Sequence, residues 1–233
     1  MKLPLLISVP HGGLRVPEEV RDGCILSPKD IVEDSDEGAS EIYDVGDEIE
    51  AFVSTDVARA IVDLNRAEDD FRPDGVIKTH TCFNVPVHDP FPSAHLAERL
   101  LEQYYRPYHE RLRQLARSDV MLGIDCHTML AVGPPIGPMA GKKRPEICLS
   151  DADGTTCSRE WTGMLTECLE ASFGFEISVN APFKGGYIVR SHARELPWVQ
   201  LELSRDAFAG NGEKRDRVLC AMRRFCELAR AGA

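Results

Sequence analysis

Two histidines stand where short apolar runs of the chain come to an end. The first run, Leu3 to Pro10, delivers His11, and Gly12-Gly13 follow at once, letting the backbone turn sharply and leaving room beside the imidazole. A second run, Val120 to Cys126, finishes in Asp125-Cys126 and leads straight into His127-Thr128. Strand ends are where α/β proteins build their sites. One such histidine is compatible with a satisfied loop residue. Two at separate strand ends, in a chain with neither CxxC nor HExxH, predict a metal held by one ligand from each of several loops. A third ligand is expected from the acidic segment Glu33-Asp34-Ser35-Asp36-Glu37-Gly38-Ala39-Ser40-Glu41. Position alone does not choose among its carboxylates, and such a charge run also suits a solvated face.

Other residue types suggest how an anion and a proton would be handled. Ile61-Val62-Asp63-Leu64-Asn65-Arg66 is an apolar run that closes on an amide and a guanidinium, and the planar fork of Arg66 matches a carboxylate in two parallel hydrogen bonds. A structural ion pair is the equal alternative on spacing alone. Arg190, closing Gly185-Gly186-Tyr187-Ile188-Val189-Arg190, is a natural second member of an arginine cluster. Glu202 lies inside the core-like run Trp198 to Ser204. A buried carboxylate is costly unless it is paired or working, which makes Glu202 a candidate general base with a raised pKa. Period-2 alternation offers the opposite reading, with Gln200, Glu202 and Ser204 turned to solvent.

The elements that must position these residues alternate along the chain, which is the α/β signature. Strands are expected at Leu3 to Pro10, Ala60 to Asn65, Val120 to Cys126, Glu146 to Ser150, Glu176 to Asn180, Tyr187 to Arg190 and Trp198 to Ser204. Most are apolar on both faces and so belong to a covered sheet. A helix starts after the capping Ser93 and carries Leu96, Leu100, Tyr104, Tyr108, Leu112 and Leu115 as one stripe, with a kink expected at Pro107. Two more run from Ser158 to a stop at Gly174 and from Gly212 to Arg230. The polar, proline-containing stretch Ala67 to Phe91 is expected to be a long functional loop.

Composition narrows the class. The 233 residues are 43% hydrophobic and 28% charged, as in ordinary globular proteins, and one domain over residues 1–233 is the expectation. The 27 Lys and Arg against 38 Asp and Glu give a net charge of −11, which argues against nucleic acid and anionic membranes as partners. No apolar run approaches the roughly 20 residues that cross a bilayer. The eight cysteines, scattered without CxxC, read as reduced core residues of a cytoplasmic protein. Association of the chain with itself stays open.

Seven stretches, in order from about Leu5 to Phe208, make the chain resemble the N-formylglutamate amidohydrolase family, a branch of the zinc-carboxypeptidase-like hydrolases. They are Ser8 to Gly13 with Pro17, Asp34-Ser35-Asp36 with Glu41 to Asp44, Val62 to Arg66, Tyr105 to His109, Asp125 to Met129, Phe183 to Ile188 and Gln200 to Arg205. The resemblance implies a three-layer αβα domain with a mixed, mostly parallel sheet and the site at the carboxyl ends of central strands. It implies a zinc ion held by His11, Asp36 and His127, with Asp36 replacing the wider superfamily's glutamate three residues after the first histidine, a position occupied here by Leu14. Asn65 and Arg66 become the clamp on a substrate carboxylate, Glu202 the general base, Arg190 a partner of the zinc at the oxyanion, and His109 a packing residue or a support behind the site. The implied reaction is hydrolysis of a small acidic acyl-amino acid, N-formyl-L-glutamate to formate and L-glutamate. The alternatives are another acidic amide as substrate, or a non-catalytic binding protein on the same scaffold. Cys126 as nucleophile beside His127 is disfavoured, since neighbours on a strand point to opposite faces.

Overall fold

The computed structural model describes residues 2–137 and 139–232. Its centre is a six-stranded sheet of β1 (Leu3–Val9), β2 (Ile49–Ser54), β3 (Leu122–Met129), β4 (Ile147–Ser150), β5 (Ser178–Val179) and β6 (Trp198–Ser204), in the order β2-β1-β3-β6-β4-β5. All neighbours are parallel except β4 and β6, so the sheet is mixed and mostly parallel. Helices cover both faces. They are α1 (Pro28–Asp34), α2 (Ala39–Ile42), α3 (Ala94–Leu100), α4 (Arg106–Leu115), α5 (Arg159–Phe173), α6 (Tyr187–Ser191) and α7 (Asn211–Ala231).

Strand alternation sorts the side chains between the layers. Leu5, Ile7 and Val9 of β1, Leu122, Ile124 and Cys126 of β3, and Val199, Leu201 and Leu203 of β6 pack under α2, α5 and α7. The intervening residues, Leu6 of β1 and Trp198 of β6, face the other layer with α3, α4 and α6. Asp125, His127, Gln200 and Glu202 share that second face by the same period of two. Because helices and loops roof it, β3 and β6 are buried along their whole length, and the solvent-facing reading of Glu202 does not hold. Cys126 is in the apolar core, on the opposite face from His127.

Several elements differ from expectation. Ala60 to Asn65 is no strand: Ile61 and Val62 donate to the Ala58 carbonyl in turns, and Asp63 donates to Val76 of the long loop. The run is apolar because it is buried on all sides, a pattern that periodicity does not separate from a strand. The edge strand beside β1 is β2, which the pattern reading passed over. Tyr187 to Arg190 is a short helix, α6, not a strand. Helix α1 begins with a capping box between Ser27 and Asp30 and has Pro28 in its first turn, a start signal obscured by the acidic run. Pro107 lacks the N–H that would bond residue 103, and the chain answers with a π-turn at Leu101–Tyr105 between α3 and α4, where Arg106 N–H bonds the Leu101 carbonyl. The 67–91 stretch forms no named helix or strand, as expected. All eight cysteines are free; five are buried, and Cys220 is exposed. Among the described residues no helix is long and apolar enough to cross a membrane.

Candidate functional site

The carboxyl ends of β1, β3 and β6 open into a cavity of about 400 Å³. His11 enters it from two residues past β1, while His127 in β3 lies directly across from Glu202 in β6. Asp36 comes from the turn between α1 and α2. Glycine at position 38, with φ of 82°, starts α2 and helps direct that turn; Asp36 is buried while Glu37 and Glu41 are exposed. The Asp36 N–H bonds the His11 carbonyl at 3.0 Å, so the two loops are stitched together.

Hydrogen-bond parity defines what this cluster can hold. His11 Nε2 is 2.7 Å from Asp63 Oδ1, and His127 Nε2 is 2.8 Å from Asp125 Oδ2. A carboxylate only accepts, so both rings carry their hydrogen on Nε2 and turn a lone pair on Nδ1 inward. His11 Nδ1 is buried with no hydrogen-bond partner among the described atoms, 3.6 Å from Asp36 Oδ2. His127 Nδ1 lies 2.8 Å from the same Oδ2. Two acceptors at that distance repel unless a cation stands between them, either a proton or a metal ion. The ligand atoms of His11, Asp36 and His127 all lie within 4.8 Å of one another, so this cluster could hold a metal ion. Carboxylates behind both histidines are the usual outer support of such sites.

A proton on His127 Nδ1 would satisfy the same pair. Burial opposes charge on His127, but Asp125, Glu202 and Asp36 outweigh it and raise its pKa well above the ordinary value. Burial likewise opposes ionisation of Asp36, yet His11 and His127 hold its carboxyl well below the usual range. Glu202 goes the other way: burial raises its pKa, Asp36 adds to this, and His127 only partly offsets it. Its Oε1 accepts a 2.7 Å bond from Gln200 Nε2.

Cations surround the acids. Arg59 bonds Asp36 Oδ1 at 3.1 Å and Asp63 Oδ2 at 3.4 Å. Lys78, fully buried, pairs with Asp34 at 2.9 Å and approaches Asp63 at 3.6 Å. Arg205 holds the Ser35 carbonyl and lies 3.7 Å from Asp36 Oδ1. Arg144 lines the cavity above the Phe183 ring, 5.1 Å from its centroid. None of these four was singled out from the sequence. Arg59 offered a weak signal, a guanidinium inside the apolar run Val57 to Leu64, and Arg205 closes a stretch already matched to the family.

The structure gathers His11, Asp36, Asn65, Arg66, His127 and Glu202 around one cavity. Arg66 is half-buried at its mouth; its Nε bonds the Asp74 carbonyl at 2.9 Å. Asn65 is committed to the scaffold, with Nδ2 donating to Asp125 Oδ2 at 3.2 Å and Oδ1 accepting from Ile188 N–H at 2.8 Å. Gly186 lets that amide close in, since a Cβ there would sit 2.3 Å from Asn65 Nδ2. Arg190 is not brought to the site: it is exposed, and its guanidinium bonds the carbonyls of Lys184 and Gly185. Read as a strand, the segment would have pointed it inward; the turn of α6 carries it out.

Comparison with known proteins agrees with this architecture. The family model described as N-formylglutamate amidohydrolase matches residues 3–209. The chain is 30% identical over 226 residues to the N-formylglutamate deformylase of Pseudomonas putida, covering 89% of this chain and 82% of that one. It is 28% identical over 222 residues to the deformylase of Pseudomonas aeruginosa, covering 87% and 81%. In fold it is similar to the crystal structure of N-formylglutamate amidohydrolase from Ralstonia eutropha JMP134, with a TM-score of 0.81 and 22% identity over 100% of this chain and 96% of that one.

Proposed function

This chain belongs to the N-formylglutamate amidohydrolase family, and from that premise we propose that it hydrolyses N-formyl-L-glutamate to formate and L-glutamate, acting as one domain around the cavity that holds His11, Asp36, His127 and Glu202. The observation that supports a hydrolytic centre there is the inward pair of acceptors, His127 Nδ1 and Asp36 Oδ2, beside the unpartnered His11 Nδ1 and opposite Glu202.

His11, Asp36 and His127 would hold a divalent ion, and two imidazole nitrogens with one carboxylate are a donor set suited to zinc. When bound, zinc supplies Lewis acidity and a water whose pKa is lowered towards ~7. The protein does the rest. Glu202, whose buried carboxylate holds a proton more readily than an exposed one, takes a proton from the attacking water and passes it to the leaving nitrogen. Arg66 receives a substrate carboxylate at the cavity mouth, and Asn65 keeps that clamp in place from behind. Arg144, which lines the cavity where Arg190 does not, would face charge developing on the carbonyl oxygen.

The test is release of the acyl acid, formate from N-formyl-L-glutamate and N-formyl-L-leucine and acetate from N-acetyl-L-glutamate, by protein stripped with a chelator and reloaded with zinc. Activity that vanishes on stripping, returns with zinc and favours the acidic formyl substrate is expected. Full turnover by stripped protein removes the metal from the reading. Equal turnover of formyl-leucine removes the acidic substrate.

A further inference from the structure

The stretch Tyr105-Arg106-Pro107-Tyr108-His109 touches neither the cavity nor the ion cluster, and the reaction above gives it no task. Three of its side chains, Tyr105, Tyr108 and His109, nevertheless reach the back of the site. Tyr105 Oη donates to the Arg66 carbonyl at 2.8 Å, and His109 Nε2 bonds the Leu64 carbonyl at 3.0 Å. Residues four apart share a helix face, so one face grips alternate carbonyls of the 64–66 segment. From between them, Tyr108 Oη lies 2.9 Å from Ser8 Oγ, and Ser8 Oγ donates to Asp125 Oδ1 at 2.8 Å.

The gripped segment is the mount on which both histidines are oriented. Asp63 Oδ1 accepts from His11 Nε2 and from the Asn65 N–H at 3.0 Å, while the Asn65 side chain donates to the Asp125 carboxylate that holds His127. A shift at Leu64 therefore moves the supports of both rings. His109 itself is held in one tautomer. The Leu64 carbonyl only accepts, so the ring hydrogen is on Nε2, and Nδ1 accepts from His192 Nε2 at 2.9 Å, the two rings being coplanar to 8°. Behind it, His192 Nδ1 meets Glu195 Oε2 at 3.0 Å at the protein surface.

We propose that His109 is a positioning residue of the metal centre and Tyr105 one of the Arg66 clamp: through the Leu64 and Arg66 carbonyls, the face made by Tyr105 and α4 sets the backbone that aims His11, His127 and Arg66. The activity arm of the test rests on the proposed hydrolysis; the metal-binding arm does not.

The variants are His109→Phe, His109→Gln and Tyr105→Phe, read by zinc affinity in chelator competition, by kcat and KM, and by thermal melting. His109→Phe should weaken zinc binding and lower kcat by about 10-fold each, at the low end for outer-shell partners of metal ligands. Its KM should stay within about 2-fold. His109→Gln retains an N–H donor for Leu64 and should recover most of both losses. Tyr105→Phe should raise KM and spare kcat, because the carbonyl it frees belongs to Arg66. Wild-type zinc affinity in a folded His109→Phe protein, or equal damage from Phe and Gln, overturns the proposal by reducing His109 to packing. Should His109→Phe fail to fold, Tyr105→Phe decides: it removes a single oxygen, and an unchanged KM overturns the grip on the 64–66 backbone. If the wild type proves inactive on formyl-glutamate, the hydrolysis reading fails while the zinc series still judges this one.

Discussion

The cavity has two unlike walls. On the inner wall, His11, Asp36, Asp63, Asp125 and His127 are almost wholly removed from solvent, and every carboxylate has at least two partners. On the outer wall, Arg66, Asp74, Gly137 and Lys184 lie outside the named helices and strands and are partly or fully exposed. A site supported by many mutual hydrogen bonds can hold reacting groups in one geometry, whereas exposed loop residues set which molecule is admitted. The inner wall should therefore govern kcat and metal affinity, and the outer wall KM and selectivity.

The largest expected effect probes the inner wall. Glu202→Gln keeps shape but cannot accept a proton, so kcat should fall by roughly 10² to 10⁴ while zinc binding persists. The same variant tests the pH profile. Glu202 must be ionised to act as a base, and its pKa lies above the ordinary 4.5 because of burial. Wild-type activity should therefore fall as pH drops through that raised value, and this limb should move or disappear in Glu202→Gln. Near-normal turnover by the folded, zinc-loaded variant would break the assignment.

Next comes the outer support of the inner wall. Asp63→Asn retains volume, but the amide no longer offers charge to His11, Arg59 and Lys78. Metal affinity should drop by roughly 10- to 100-fold. An unchanged affinity would mean that His11 Nδ1 is aimed by something other than Asp63.

On the outer wall, Arg66→Ala should raise KM for N-formyl-L-glutamate by about 10-fold, the loss of one charge-assisted pair, with a much smaller change in kcat. Its preference over formyl-leucine should narrow. Unchanged selectivity would place Arg66 in the scaffold, where its bonds to the Asp74 and Asn65 carbonyls already give it a structural part.

The two walls also differ in how far they could be read from the chain. His11 and His127 stood out because strand ends bounded by Gly-Gly and by a buried apolar run are local features. Glu202 stood out because a carboxylate in such a run conflicts with its surroundings. What alternation alone could not settle was whether the sheet face carrying Glu202 is roofed, since that depends on α3, α4, α6 and the 58–66 turns, all distant in sequence. Asp36 was nominated by resemblance alone; its selection from the acidic run depends on where α1 stops and α2 starts. The supporting Asp63 and Asp125 lay inside segments already singled out, yet their bonds to the histidines join residues 52 apart in one case and two apart in the other, and only the first needs tertiary structure. A period-2 reading of β3 puts Asp125 and His127 on one face, so that support was open to inference.

Arg190 is the sharpest contrast between reading and structure, and it yields the smallest expected effect. As a strand residue it would have shared the inner wall; as part of α6 it lies on the surface, with its guanidinium spent on the carbonyls of Lys184 and Gly185. Exposed substitutions of that kind usually change stability by no more than about 0.5 kcal/mol, and an arginine outside the cavity has no differential contact with the transition state. Arg190→Ala should thus leave kcat and KM within about 2-fold of wild type, while Arg144→Ala, from the cavity wall, should depress kcat more than it changes KM. The pair is informative together. If Arg190→Ala instead costs 10-fold or more in kcat, the 184–190 segment must refold over the bound substrate and bring the guanidinium inward. The outer wall would then join the catalytic machinery, and the division between the two walls would fail.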